Sequence, residues 1–110
     1  MTEITYSDFE KVEIRVGEVL EVVNFPEART PAYKLWIDFG ALGVKKSSAQ
    51  ITKYQHEELI GKQVLAVTNF PARQVANFMS EVLVLGVVLD DGQVVLIQPD
   101  RHVPLGSRIL

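Results

Sequence analysis

The chain has no cysteine. Disulfides, thiolate nucleophiles and zinc or iron–sulfur sites built on Cys are therefore excluded, and a reducing cytoplasm is the compartment that fits. Histidine is scarce as well. His56 and His102 are the only two, with no HxxH or HxxxH spacing to put a pair on one helix face, so no metal and no cofactor are expected. Ser47 and Ser48 lack a G-x-S-x-G frame, and no GxGxxG or Walker sequence occurs. The paired acids Glu57/Glu58 and Asp90/Asp91 fall where a helix start and a hairpin turn explain them. Nothing here points to an enzyme. No run approaches the roughly eighteen apolar residues of a spanning helix, and the opening MTEITYSDFEKVE has neither a basic nor an apolar leader region. A soluble cytoplasmic protein without membrane insertion is expected.

Positive charge is also short overall, with 11 Lys and Arg against 14 Asp and Glu. A uniformly basic nucleic-acid surface is thereby ruled out, but the distribution is uneven. Residues 1–21 carry six acids against Lys11 and Arg15, whereas 22–54 carry Arg29, Lys34, Lys45, Lys46 and Lys53 against Glu27 and Asp38. One third of the chain can still make a local basic face.

What is present is β pattern. One hundred and ten residues make one domain, 1–110, able to bury roughly two-thirds of its unfolded surface. Ser7 and Glu10 have capping-box spacing for an opening helical turn, with Phe9 as its anchor. From Val12 the parity of Val12, Ile14, Val16, Leu20 and Val22 gives a long strand, which Gly17 and Glu18 interrupt and bend. Leu35, Ile37 and Phe39 alternate inward against outward Lys34, Trp36 and Asp38; Val44–Ile51 is a polar strand with Lys46, Ser48 and Gln50 on one face. Thr52 and Gln55 cap a short helix that Gly61 can end. Gln63–Thr68 and Glu81–Leu89 are strands, and Asp90-Asp91-Gly92 turns into Gln93–Gln98. The tail keeps Val103, Leu105, Ile109 and Leu110, enough apolar surface to dock, with a second subunit as one candidate.

Strand, strand, strand, short helix, strand, strand is the order of an OB-fold, an all-β five-stranded Greek-key barrel with one short helix between strands 3 and 4. The barrel spans about 12–90, with extensions at 1–11 and 91–110. Its ligand face would hold Trp36, Lys46, Ser48 and Gln50.

Between the last two barrel strands lies Asn69–Ser80, a twelve-residue loop carrying Phe70, Arg73, Val75, Phe78 and Met79. So much apolar surface on a loop must pack or meet a partner.

Glu13-Ile-Arg-Val-Gly17, Phe25-Pro-Glu-Ala-Arg29, Lys34-Leu-Trp-Ile-Asp-Phe-Gly40, Ser47-Ser-Ala-Gln-Ile51, Asn69-Phe-Pro and Ser80-Glu-Val-Leu-Val-Leu-Gly86 resemble the tRNA-binding domain family over nearly the whole chain. That family includes appended domains of methionyl- and phenylalanyl-tRNA synthetases, a free-standing dimeric tRNA binder, and a branch of small homodimeric export-related chaperones that this chain resembles most. The resemblance implies a non-catalytic homodimer joined through segments outside the barrel. Its partners would be unfolded or exported polypeptides and the export machinery, with tRNA as a further partner. Arg15 matches the R-V-G motif, Ser48 and Gln50 the S-x-Q strand, and Asn69 and Ser80 the two ends of the loop. The tRNA binders read Ser-Glu-Gly-Met where this chain reads Ser80-Glu81-Val82-Leu83, and the chaperones carry Gly where this chain has Asn77, which can still supply the left-handed conformation.

Two function classes follow. In a peptide-binding chaperone, Phe70, Val75, Phe78 and Met79 give adaptable apolar contact while Arg29 and Arg73 grip polar or acidic parts of a client. In a structure-specific tRNA or RNA binder, Arg15, Lys34, Lys45, Lys46, Lys53 and Arg73 contact phosphates, Trp36 or Phe70 stacks on a base, and Ser48, Gln50, Asn69 and Ser80 add polar contacts. A barrel serving only as a scaffold for another protein is the third possibility.

Overall fold

The computed structural model describes residues 1–110. A helical turn α1 (Tyr6–Glu10) leads into β1 (Ile14–Asn24), β2 (Tyr33–Asp38), a 3-10 turn (Gly40–Leu42) and β3 (Val44–Ala49). One-turn helix α2 (His56–Leu59) then precedes β4 (Gln63–Val67). Five short strands complete the chain: β5 (Arg73–Val75), β6 (Phe78–Ser80), β7 (Leu83–Val84), β8 (Gly86–Val88) and β9 (Val94–Leu96).

The main sheet is antiparallel in the order β3-β2-β1-β4-β7. Its two ends meet: the Glu81 N–H donates to the Lys46 carbonyl at 2.8 Å, and the buried Ser47 hydroxyl donates to the Val82 carbonyl at 3.1 Å. A five-stranded sheet closed on itself, with a short helix between its third and fourth strands, is the OB-fold. The expected Glu81–Leu89 strand is in fact split at Leu85, whose N–H turns to the Leu65 carbonyl at 2.8 Å, so that β7 stays in the barrel while β8 leaves to pair with β9.

Alternation in β2 works as read, with Leu35, Ile37 and Phe39 fully buried beside Val19, Leu59 and Val64. In β1 the parity breaks. The register with β2 slips between Val19 and Glu21, so Leu20 is the extra residue of a bulge and is 45% exposed, while Val19 takes the core position. Gly17 is not the bend. A Cβ there would lie 2.5 Å from Ile37 Cγ2 and 2.7 Å from Phe39 Cε1, so its role is to let two core side chains cross β1 closely.

The caps are displaced from their expected places. Thr5, extended at φ −89°, caps α1 by accepting from the Asp8 N–H while the Asp8 carboxylate accepts from the Thr5 N–H, both at 3.1 Å. Ser7 already lies inside the helix. At α2 the Glu58 carboxylate accepts from the Gln55 N–H at 3.0 Å, so Gln55 replaces Thr52 as the cap. Gly61 does end that helix, at φ +86°.

The tail docks onto this chain's own first strand. Where β2 no longer flanks β1, Gly106 donates to Val16, Val16 to Ser107 and Ile109 to Ile14, at 2.8, 2.9 and 2.9 Å. It thereby occupies an edge of β1 that β2 leaves free.

Candidate functional site

The stretch 69–80 is more ordered than a loop. Arg73 pairs with Ser80, Gln74 with Met79 and Val75 with Phe78, giving a β5–β6 hairpin with Ala76 and Asn77 at its turn. Ala76, not Asn77, takes the left-handed conformation, at φ 51°. The first central position of such a tight turn requires positive φ, and here that position falls on alanine.

The hairpin lies over the outer face of β2 and β3. Phe78, only 7% exposed, joins Phe25 and Ala32 in a second small core, with Trp36 and Val75 packed against it. Its ring meets Phe25 edge-on at 5.6 Å and Trp36 at 5.9 Å between centroids. Phe78 is therefore the anchor of the arm and not a free client contact, because its register across from Val75 turns it down onto the barrel. Phe70 and Met79 remain outward, 52% and 42% exposed.

Beneath the arm, Lys34 stands opposite Ser48 and Trp36 opposite Lys46. Since Leu35 and Ile37 face the core, these four share the outward face, with the two lysines on one diagonal of a square. The Lys34 ammonium lies 4.8 Å from the Phe25 centroid and 5.3 Å from that of Phe78; the Lys46 ammonium lies 5.2 Å from the same Phe78 centroid. The ion pairs of the chain lie elsewhere, and neither lysine has a carboxylate partner. Trp36 is half-buried, with its ring packed against Phe78 of the arm.

Beside the arm is a hollow of about 440 Å³ lined by Ser48, Phe70, Pro71, Arg73, Val75, Ser80, Glu81, Val82 and Leu83. Two of its polar walls are committed to closing the barrel: the Ser80 hydroxyl accepts from the Ser48 N–H at 3.0 Å, and the Glu81 carboxylate accepts from the Lys46 N–H at 2.9 Å. Val82, where the resemblance places Gly in the tRNA binders, sends its side chain into the main core. Apolar contact with an Arg73 rim is what the hollow offers a ligand.

Several other sequence candidates stand apart from this face. Arg15 donates to the Glu13 carboxylate at 2.9 Å and to the Gly106 carbonyl at 3.2 Å, fastening the tail to β1. Asn69 accepts from the Glu13 N–H and donates to the Lys11 carbonyl, at 2.9 and 2.7 Å, pinning the start of the chain. Lys45 has the parity of Ile37 and Ser47, so it leaves β3 on the side opposite Lys46. Lys53 borders a polar hollow with Tyr33, Tyr54 and His56, Gln50 a neighbouring one with Thr30 and Gln93, and Arg29 a groove with Phe25 and Pro31. His56 is tied to the Asn24 side chain at 2.8 Å and meets the Tyr33 ring edge-on. Phe25 and Glu81 are the site residues that sequence reading missed. Phe25-Pro26 had the look of loop punctuation, and the placement of Glu81 beside Lys46 depends on barrel closure.

The family model described as "Putative tRNA binding domain" matches residues 14–108. The chain belongs to that family. Among solved structures, it is similar to the CsaA chaperone of Bacillus anthracis str. Ames, at 52% identity and a TM-score of 0.95, covering 99% of this chain and 100% of that one. The CsaA chaperone of Picrophilus torridus is similar at 56% identity and a TM-score of 0.92, covering 98% and 100%. Among curated relatives, the methionine–tRNA ligase of Porphyromonas gingivalis is 36% identical over 107 residues, 97% of this chain. The alignment takes in 16% of that ligase, so the family domain corresponds to a small part of the synthetase. No helix of the chain is long and apolar enough to cross a membrane.

Proposed function

We propose that the chain is a non-catalytic, CsaA-like chaperone of the cytoplasm, a homodimer that holds non-native polypeptides, exported ones among them, in the hollow beside the 69–80 arm. The supporting observation is the hollow itself. A rigid barrel presents exposed Phe70, with Pro71, Val75 and Leu83 behind it and Arg73 at the rim. Apolar walls with few fixed polar groups suit side chains of varied shape, and exposed Met79 adds a contact that repacks readily. Homodimer formation is supported by the outward side of the β8–β9 hairpin, where paired Val87 and Val95 are exposed together with Leu89 and Ile97. The test is calorimetric peptide binding together with suppression of client aggregation. Phe70→Ala and Met79→Ala should weaken both, and unchanged values in both assays would remove the arm from the site.

A second reading, structure-specific tRNA binding, is favoured by the unpaired Lys34 and Lys46 on the outer β2–β3 face and by the family's description. Phosphate contacts make affinity fall steeply with salt. The check is a gel shift with total tRNA at low salt, and the absence of a complex at micromolar protein would end this reading.

A further inference from the structure

We infer that Lys34 and Lys46 form a single anion clamp, floored by the Phe78 ring, that takes one phosphate group of a folded RNA; this rests on the tRNA reading above. The two ammonium groups come from different strands and converge on one aromatic ring, at 5.3 and 5.2 Å from its centroid. An aromatic face attracts cations, so the ring holds both side chains in place before any ligand arrives. Neither ammonium has a carboxylate oxygen within 4 Å. The nearest acid on the adjoining strand, Glu81, spends one carboxylate oxygen on the Lys46 backbone N–H. Two like charges gathered on a poorly solvated ring repel each other, and an anion seated between them converts that repulsion into two attractions.

The other diagonal of the square tells which anion fits. The hydroxyl of Ser48, directly across from Lys34, makes no hydrogen bond within the chain, although its N–H is taken by Ser80. Hydrogen-bond donors on this face thus stand on both β2 and β3, Lys34 on one and Lys46 and Ser48 on the other. A carboxylate offers two oxygens in one plane, whereas the tetrahedral oxygens of a phosphate can receive donors from several directions. Lys45 and Lys53, on other faces, take no part. The arm that borders the peptide hollow also supplies the floor of the clamp.

The experiment is a titration of total tRNA at several salt concentrations with the wild type, Lys34→Ala, Lys46→Ala and the double variant. A shared phosphate predicts that each single change weakens binding about tenfold and lowers the salt slope by about one contact. The double variant should then lose little more than either single one. Phe78→Leu, which keeps apolar filling but removes the ring, should show a similar loss in a folded protein. Losses that multiply in the double variant, or tRNA binding indifferent to both lysines, overturn the clamp and leave the RNA reading standing. Inorganic phosphate, followed through the lysine ammonium and Trp36 indole resonances, separates the remaining outcomes. Shifts with phosphate but no tRNA complex support the anion site and sink the RNA reading. No shifts and no complex sink both. An acidic peptide that displaces phosphate at lower concentration overturns the assignment to RNA.

Discussion

Gln63 and Val103 hydrogen-bond each other twice, the Gln63 amide donating to the Val103 carbonyl at 2.8 Å and accepting from its N–H at 3.2 Å. A buried side chain on β4 thus acts as a strand partner for the tail, which continues through Gly106, Ser107 and Ile109 along β1. Gln63→Leu keeps the bulk and leaves both Val103 groups unpartnered, at a cost of about 1–3 kcal/mol. Denaturant unfolding should register that loss, and hydrogen exchange should accelerate first at the Gly106 and Ile109 amides. Unchanged exchange there would show that the clamp does not hold the tail.

Ala76 sits at φ 51°, where a Cβ is unfavourable by about 1–2 kcal/mol. Ala76→Gly relieves that strain and gives back roughly 0.5–1 kcal/mol of chain entropy. The net expectation is a rise in stability of up to about 1.5 kcal/mol. A calorimetric midpoint at or below that of the parent would contradict it.

The aromatic residues of the arm should separate into two kinds. Phe78→Ala opens a gap between Phe25 and Trp36 and should destabilise by about 2–4 kcal/mol, toward the low side for core aromatics because the cluster is small. Phe70→Ala should stay within about 0.5 kcal/mol of the parent in unfolding while weakening peptide binding. The reverse ranking in urea titrations would mean that the arm does not rest on Phe78.

The Asp8 carboxyl is held below its ordinary 3.8 first by the bond from the Thr5 backbone N–H, then by the Thr5 side chain and Lys11. A lowered carboxyl favours the charged, folded form, so its contribution is present above the ordinary value and is lost as pH falls through the lowered one. The first helical turn should fray below about pH 4, seen in the Thr5 and Asp8 amide shifts. Asp8→Asn should remove the pH-dependent step, and a step that persists would assign it elsewhere.

Where a strand has one covered face, the sequence was readable. Leu35, Ile37 and Phe39 were recognisable as core because alternation in β2 runs without interruption. β1 was readable only as far as its bulge, since an inserted residue reverses parity without altering composition, and Leu20 and Val19 are both apolar. The hairpin inside 69–80 went unseen because Ala-Asn is not the Asn-Gly or Gly-X pair that usually marks such a turn. Period-two spacing grouped Trp36, Lys46, Ser48 and Gln50; the first three share the outward face with Lys34, while Gln50 lies past the end of β3 beside Thr30 and Gln93. Arg15 and Asn69, grouped with them by motif, instead hold the tail and the N-terminal segment.

By itself the sequence determined the order of barrel strands, the inward residues of β2, the shared outward face of β2 and β3, and the lack of thiol chemistry. These depend on residue type and near-neighbour spacing. Only the tertiary structure decided that Phe78 is a floor and Phe70 a free surface, that the tail belongs to β1, and that two lysines without carboxylates share one ring. Periodicity along a strand reports that one side is covered, but what lies on the other side is set by residues thirty or more positions away, through closure of the barrel.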